Sequence, residues 1–208
     1  MSPTPEPMQP ITLRGTFGIV VTVVVWLIGV VSLTTLGTDK GVAEMFRYTP
    51  LVLLVGYVCW MTFWAPAVAI DPSGVTLRNI VRSHRVTWPA IQRIDTKYTL
   101  TLVTAHRKFT AWSAPAPSRF SMINARKQEL RSLPESTYGA GYSVGIGDLP
   151  TSDSGVAAYH IRLRWEALRD AGHLDAGVEG TGVVTTWHRR QLLALVGLIL
   201  LAVATHLA

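Results

Sequence analysis

Three long stretches of the chain carry no charge, and between the second and third the apolar residues alternate with polar ones. The first uncharged stretch lies between Arg14 and Asp39, with an apolar core over 15–36. At a helical rise that core spans roughly 33 Å, enough for a hydrocarbon layer of roughly 30 Å. It is longer than the apolar part of a cleaved signal peptide and has no small-residue cleavage site before Gly37, so it reads as a retained helix. The second stretch, 48–70, is broken by Pro66 and the turn tetrad Asp71-Pro72-Ser73-Gly74, which predicts a helix ending near Trp64. The third runs from Gln191 to Ala208. The pattern predicts a disordered N-terminus over 1–13 and transmembrane helices over 14–37, 47–66 and 189–208.

From residue 67 the period changes from helical to two. Ala67-Val68-Ala69-Ile70 and Val75-Thr76-Leu77-Arg78-Asn79-Ile80 flank the tetrad and read as a hairpin. Arg85-Val86-Thr87-Trp88 alternates, with Val86 and Trp88 on one face. Ile91 and Ile94 in PAIQRID fit either a helical turn or an irregular strand. The segment 98–103 is the most regular alternation in the chain and predicts Tyr98, Leu100 and Leu102 facing inward. A last strand follows over 108–112. Five or so strands with tight turns predict an antiparallel meander over 67–113.

Charge orients this arrangement. Of the 19 Lys+Arg only Arg14, Lys40 and Arg47 lie outside 71–190, and of the 13 Asp+Glu only Glu6, Asp39 and Glu44. The whole net charge of +6 therefore belongs to the segment between helices two and three. Arg78, Arg82 and Arg85 follow one helix, and Arg189 and Arg190 precede another. The positive-inside rule then places the N-terminus and residues 67–188 in the cytoplasm, the loop 38–47 outside, and the C-terminus outside a plasma membrane. Trp64 and Trp187 fall where an aromatic belt would stand. Cys59 is the single cysteine, so no disulfide closes within the chain.

The string GVTLRNIVRSHRVTWPAIQRID resembles the bacterial pleckstrin-homology-like (PH) domain found in many actinobacterial membrane proteins. Gly74, Val75, Leu77, Arg78, Asn79, Arg85, Val86, Trp88, Ile91 and Ile94 carry the likeness. The resemblance implies two helices before the domain, a loose region and a helix after it, and one C-terminal helix. It also implies a head-group contact at the early strands, where Arg78, Arg82, His84 and Arg85 lie. Each cation near an anionic leaflet gains about 1 kcal/mol. The plainer reading is that these charges only set topology.

After Trp112, Pro and Gly mark a loop region over 114–153. Within it an amphipathic helix over 118–133 would set Met122 and Ile123 against a basic face of Arg126, Lys127 and Arg131, suited to a membrane surface or to packing on the sheet. A helix over 154–172 places Tyr159, Ile161, Trp165 and Leu168 in phase, and a linker over 173–188 follows. The glycines of GAGYSVGIGDLP lack the spacing and flanking elements of a phosphate loop and read as a flexible loop. The six histidines show no metal-ligand spacing, no nucleophile–base set stands out, and no cofactor is expected. His206 reads as an interfacial imidazole. Lipid is a nearer polyanion for the basic segment than nucleic acid.

The sequence therefore predicts an α+β membrane protein, not an enzyme, with three transmembrane helices and a cytoplasmic antiparallel PH-like domain followed by a helix. Its expected work is binding at the membrane, to protein or anionic phospholipid. The alternative is an accessory subunit of a larger membrane complex, with helices forming the interface. Gly15, Gly18, Gly29, Gly37 and Gly56 would permit close helix packing in either case.

Overall fold

Alternation along the middle of the chain folds as two antiparallel sheets. The computed structural model describes residues 9–116, 134–137, 145–149, 152–174 and 182–207, and the chain divides into two units, one of residues 1–14, 67–79 and 83–186, the other of 15–66, 80–82 and 187–208.

In the first unit, strands β1 (Ile11–Leu13), β2 (Ala67–Asp71), β3 (Gly74–Arg78), β4 (Arg82–Thr87) and β8 (Val183–Trp187) form one sheet in the order β1-β2-β3-β4-β8. Strands β5 (Arg93–Asp95), β6 (Thr99–Val103) and β7 (Lys108–Pro115) form a second. Val68, Ile70, Val75, Leu77 and Val86 take the inward positions of the first sheet, Leu100, Leu102, Phe109 and Ala111 those of the second, and all join one core. The residues Trp88-Pro89-Ala90 form a 3-10 turn ahead of β5. Buried Trp88 donates its indole N–H to the Asp71 carbonyl at 3.2 Å.

Helix α3 (Asp153–Asp170) closes the core with Ala157, Ala158 and Ile161. Ser152 caps its start by accepting from Gly155 N at 2.9 Å. Gly172, at φ 72, ends it, with His173 N bonded to the Leu168 carbonyl. The buried stripe differs from the one expected: Tyr159 stays half-buried beside His160, and the small Ala157 and Ala158 make the close approach.

Several expectations are corrected here. Residues 11–13, taken as disordered, pair with β2 in the register Ile11↔Ile70, Thr12↔Ala69 and Leu13↔Val68. The linker 173–188 contains β8. Tyr98 is 78% exposed because it precedes β6, whose inward face starts at Leu100; β7 bulges where its register with β6 shifts between Thr99 and Thr101. The proposed amphipathic helix over 118–133, with Arg126, Lys127 and Arg131, lies outside the described residues.

The Gly-rich stretch is ordered where it is described. A 3-10 turn, Ile146–Asp148, delivers Asp148 to Arg162 of α3 at 2.5 Å, both side chains buried. Thr96 donates its hydroxyl to the same carboxylate oxygen at 2.7 Å. Arg162 also donates to the Ile94 carbonyl at 3.2 Å and the Thr137 hydroxyl at 3.3 Å. A Cβ at Gly147 would collide with the Thr96 carbonyl, and that close approach is why glycine stands there.

The second unit holds α1 (Thr16–Lys40), α2 (Val42–Cys59) with a π-helical turn over Trp60–Trp64, and α4 (Arg189–Leu207). All three helices are long and apolar enough to cross a membrane. The expected loop 38–47 is almost entirely helical: only Gly41, at φ 95, separates α1 from α2, so Glu44 and Arg47 lie inside α2. Ala65 N bonds to the Trp60 carbonyl five residues back, and Pro66, lacking an N–H, ends the ladder. A Cβ at Gly18 would strike the Phe63 carbonyl, and Gly56 lies against the Trp26 indole, so these glycines are used inside the chain. Tyr57 of α2 donates to the Gln191 carbonyl of α4 at 3.1 Å.

The buried ion pair gives a measurable asymmetry. Asp148→Ala should destabilise the domain by about 3–5 kcal/mol, because Arg162 is left buried and uncompensated, whereas the double change Arg162→Met/Asp148→Leu should recover most of that loss. Chemical unfolding of the detergent-solubilised protein followed by tryptophan fluorescence reads both.

Candidate functional site

Arg78, Arg82, His84 and Arg85 all arrive on the β3–β4 hairpin, and strand alternation divides them. His84 shares the inward parity of Val86 and is 6% exposed. Its ring centroid lies 5.0 Å from that of Phe109, and its Nδ1 is 2.9 Å from the Thr185 hydroxyl of β8. His84 therefore packs the core and joins β4 to β8, and it does not stand on a contact surface.

Arg85 points outward but is engaged. Its Nη2 lies 3.3 Å from Asp71 and 2.5 Å from the Ser73 hydroxyl. Asp71 also accepts from Ser73 N at 2.8 Å and from the Ser73 hydroxyl. Burial raises the Asp71 carboxyl, but the Ser73 hydroxyl and backbone, the Arg85 guanidinium and the Gly74 backbone outweigh it, so it ends below the ordinary carboxylate range.

Arg78 and Arg82 remain, at the end of the hairpin. Arg82 is exposed, with its guanidinium 5.8 Å from the centroid of Trp187. Arg78, half-buried, pairs in register with Ala67 on one side and Ser83 on the other. Among the described residues it makes no ion pair. The turn between them is pinned by His188, whose N–H bonds to the Val81 carbonyl at 3.0 Å and whose Nδ1 lies 3.3 Å from the Ile80 carbonyl.

Sequence reasoning assigned no role to the neighbouring Asn79, nor to Trp112 beyond its place in the last strand. Asn79 donates its amide to the Thr110 carbonyl and accepts from Trp112 N, each at 2.8 Å, fastening the end of β3 to β7. The bulge in β7 is held from inside by the Thr99 hydroxyl, 2.6 Å from the Ala111 carbonyl and 2.9 Å from that of Ala114. Trp112 stands on the outward side by the regular alternation of β7 and is 54% exposed. The Leu-Arg-Asn string was visible in the sequence, but its partner on β7 lies 33 residues away, and no local signal reports that.

Strands β2 to β7 lie in two antiparallel sheets around one core. Residues 65–141 match the bacterial PH domain family. No curated protein and no solved structure matches the chain. The matched region of the PH-like domain contains β2 through β7 and the turn Glu135–Thr137, while α3, β1 and β8 complete the fold from outside it. No group of three or more His, Cys, Asp or Glu is placed to hold a metal among the described residues.

Asp71 provides the pH readout of this site. Its folded pKa is depressed, so its contribution is present above the unfolded value, about 3.9, and disappears as pH falls through the folded value. Asp71→Asn should cost about 0.5 kcal/mol at pH 7, a small effect because Arg85 is solvent-screened, and the cost should shrink on acidification. Paired thermal melts of wild type and variant at neutral and acidic pH test this.

Proposed function

We propose that this protein is a membrane-anchored, non-catalytic binding module: α1, α2 and α4 cross the plasma membrane, and the PH-like domain faces the cytoplasm to engage a protein or anionic phospholipid. PH domains are typically binding modules, and the match at 65–141 supports that role. One observation carries the topology. Strand β1 precedes α1 and β2 follows α2, yet the two are hydrogen-bonded neighbours. Segments that share a sheet share an aqueous compartment, so the chain between them crosses the bilayer an even number of times, as a two-helix hairpin does. The excess of basic residues in 71–190 favours the cytoplasmic side.

Arg78 and Arg82 are the cations best presented for an anionic partner, since His84 is buried and Arg85 is bound to Asp71. In the rival reading, as an accessory subunit, the helices form the interface. The glycines that would favour it on α1 and α2 instead contact residues of the same chain.

In a Cys59→Ala background, a cysteine at Thr38 should react with an impermeant thiol reagent on intact cells and one at Ser136 should not; the reverse pattern would overturn the topology. For the head-group role, the full chain in nanodiscs should gain amide-exchange protection at 78–82 when neutral lipid is replaced by anionic lipid, and lose it at high salt. Protection indifferent to lipid charge would remove that role.

A further inference from the structure

Where α1 runs beside the π-helical turn, the two leave an apolar groove that is open along one side. Thr22, Trp26, Leu27 and Val30 of α1 form one wall, and Trp60 and Trp64 of the turn form the other, around a space of about 390 Å³. That volume falls in the range of sites that hold a small ligand. The single hydroxyl in the walls, that of Thr22, is buried and already donates to the Gly18 carbonyl at 2.8 Å. Indole rings and aliphatic branches make up the rest.

The walls are held in place by the chain itself. A Cβ at Gly56 would strike the Trp26 indole, so that ring lies close against the α2 backbone. The Trp60 ring sits 5.6 Å from that of Tyr57, and the Trp60 carbonyl accepts from Ala65 N at 2.9 Å to close the π-helical turn. Rings fixed in advance lose little freedom when a guest arrives, and π-helical turns recur at functional sites.

Length and lining select the guest. Phe63, next to Trp64, lies level with Gly18, where a Cβ would strike its carbonyl. From Gly18 to Val30 α1 rises about 18 Å, a little more than half of a hydrocarbon layer of about 30 Å. An apolar guest that enters from one face of the membrane and stops near its midplane has the dimensions of a lipid acyl chain. A partner helix would continue through the other half and would need small residues to approach. The walls have none, and Gly18, Gly29 and Gly56 face Phe63, Val52 and Trp26 of the same chain.

We propose that this groove holds one fatty acyl chain of a phospholipid from the leaflet at which α1 begins, as a resident ligand of the helices. This rests on the reading that α1 and α2 span the bilayer, and goes beyond it by assigning them a ligand. Helix α1 carries its own control. Leu27 and Val30 line the groove at 60% and 55% exposure, while Ile28 and Val31 stand outside it at 60% and 63%. Lipid that merely surrounds α1 would meet all four alike.

The test uses the full chain in nanodiscs of phospholipid that carries a carbene-generating diazirine midway along one acyl chain, with adducts mapped by mass spectrometry after illumination. Labelling at Leu27 and Val30 should exceed that at Ile28 and Val31 several-fold. Val23→Trp, at the rim of the groove, should fill it and bring Leu27 down to the level of Ile28; if that variant does not fold, the wild-type contrast decides alone. Equal labelling of the four positions, or labelling of Leu27 that survives Val23→Trp, overturns the resident chain and leaves the spanning helices standing. Labelling of Ile28 and Val31 alone means that something other than lipid covers the groove, and overturns it too. If none of the four is labelled, the spanning reading falls and the proposal with it.

Discussion

The pairing of residues 11–13 with residues 68–70 governs the molecule. Three residues make only a short ladder, yet everything from α1 to the end of α2 lies between its two strands in sequence. The loop so closed has few ways to be arranged. Its two long helices meet at Gly41, whose positive φ lets the chain reverse without an intervening loop. Gly18 and Gly56 then bring the helices together at backbone distance, against the Phe63 carbonyl and the Trp26 indole. A strand pairing in one unit and glycine contacts in the other are two independent constraints on the same covalent hairpin.

Inside the β unit, apolar burial does most of the stabilising and a few polar groups fix the geometry. Val68, Ile70, Val75, Leu77, Val86, Leu100 and Leu102 are at most 1% exposed, and each such side chain contributes about 1.5–3 kcal/mol on transfer out of water. Those residues would tolerate more than one arrangement of α3. Arg162 does not, because a buried guanidinium needs several acceptors at once and finds them on three separate segments: Asp148, Thr137 and the Ile94 carbonyl. Burying the pair costs desolvation, and what it secures is a single position for the helix and for the turns around it.

Much of this was legible in the amino-acid order, and the rest was hidden for identifiable reasons. The apolar runs announced three helices because length and charge are local properties. Val75, Leu77, Val86, Leu100 and Leu102 announced inward faces because a strand alternates strictly. The burial of His84 followed from the same parity as Val86 and could have been read; its polar side chain drew attention to the surface instead. Strands β1 and β8 escaped because Ile11-Thr12-Leu13 and the β-branched run before Trp187 are too short to signal themselves and exist only through a partner. Tyr98 misled because the strand that its alternation suggested begins only at Thr99. Asp148 and Arg162 lie 14 residues apart across a Gly-rich turn, and nothing nearby in sequence predicts that they meet.

Asn79 has one more effect. Strand β7 lies at the border of its sheet, and the Thr110 carbonyl and the Trp112 N–H point away from β6 toward that border. These are the groups that a stray extended peptide, or a second copy of the chain, would need in order to add itself to the sheet. One carboxamide occupies both, presenting a donor and an acceptor in the spacing of a peptide unit. A side chain that fastens two sheets thereby guards the protein against aggregation by strand addition.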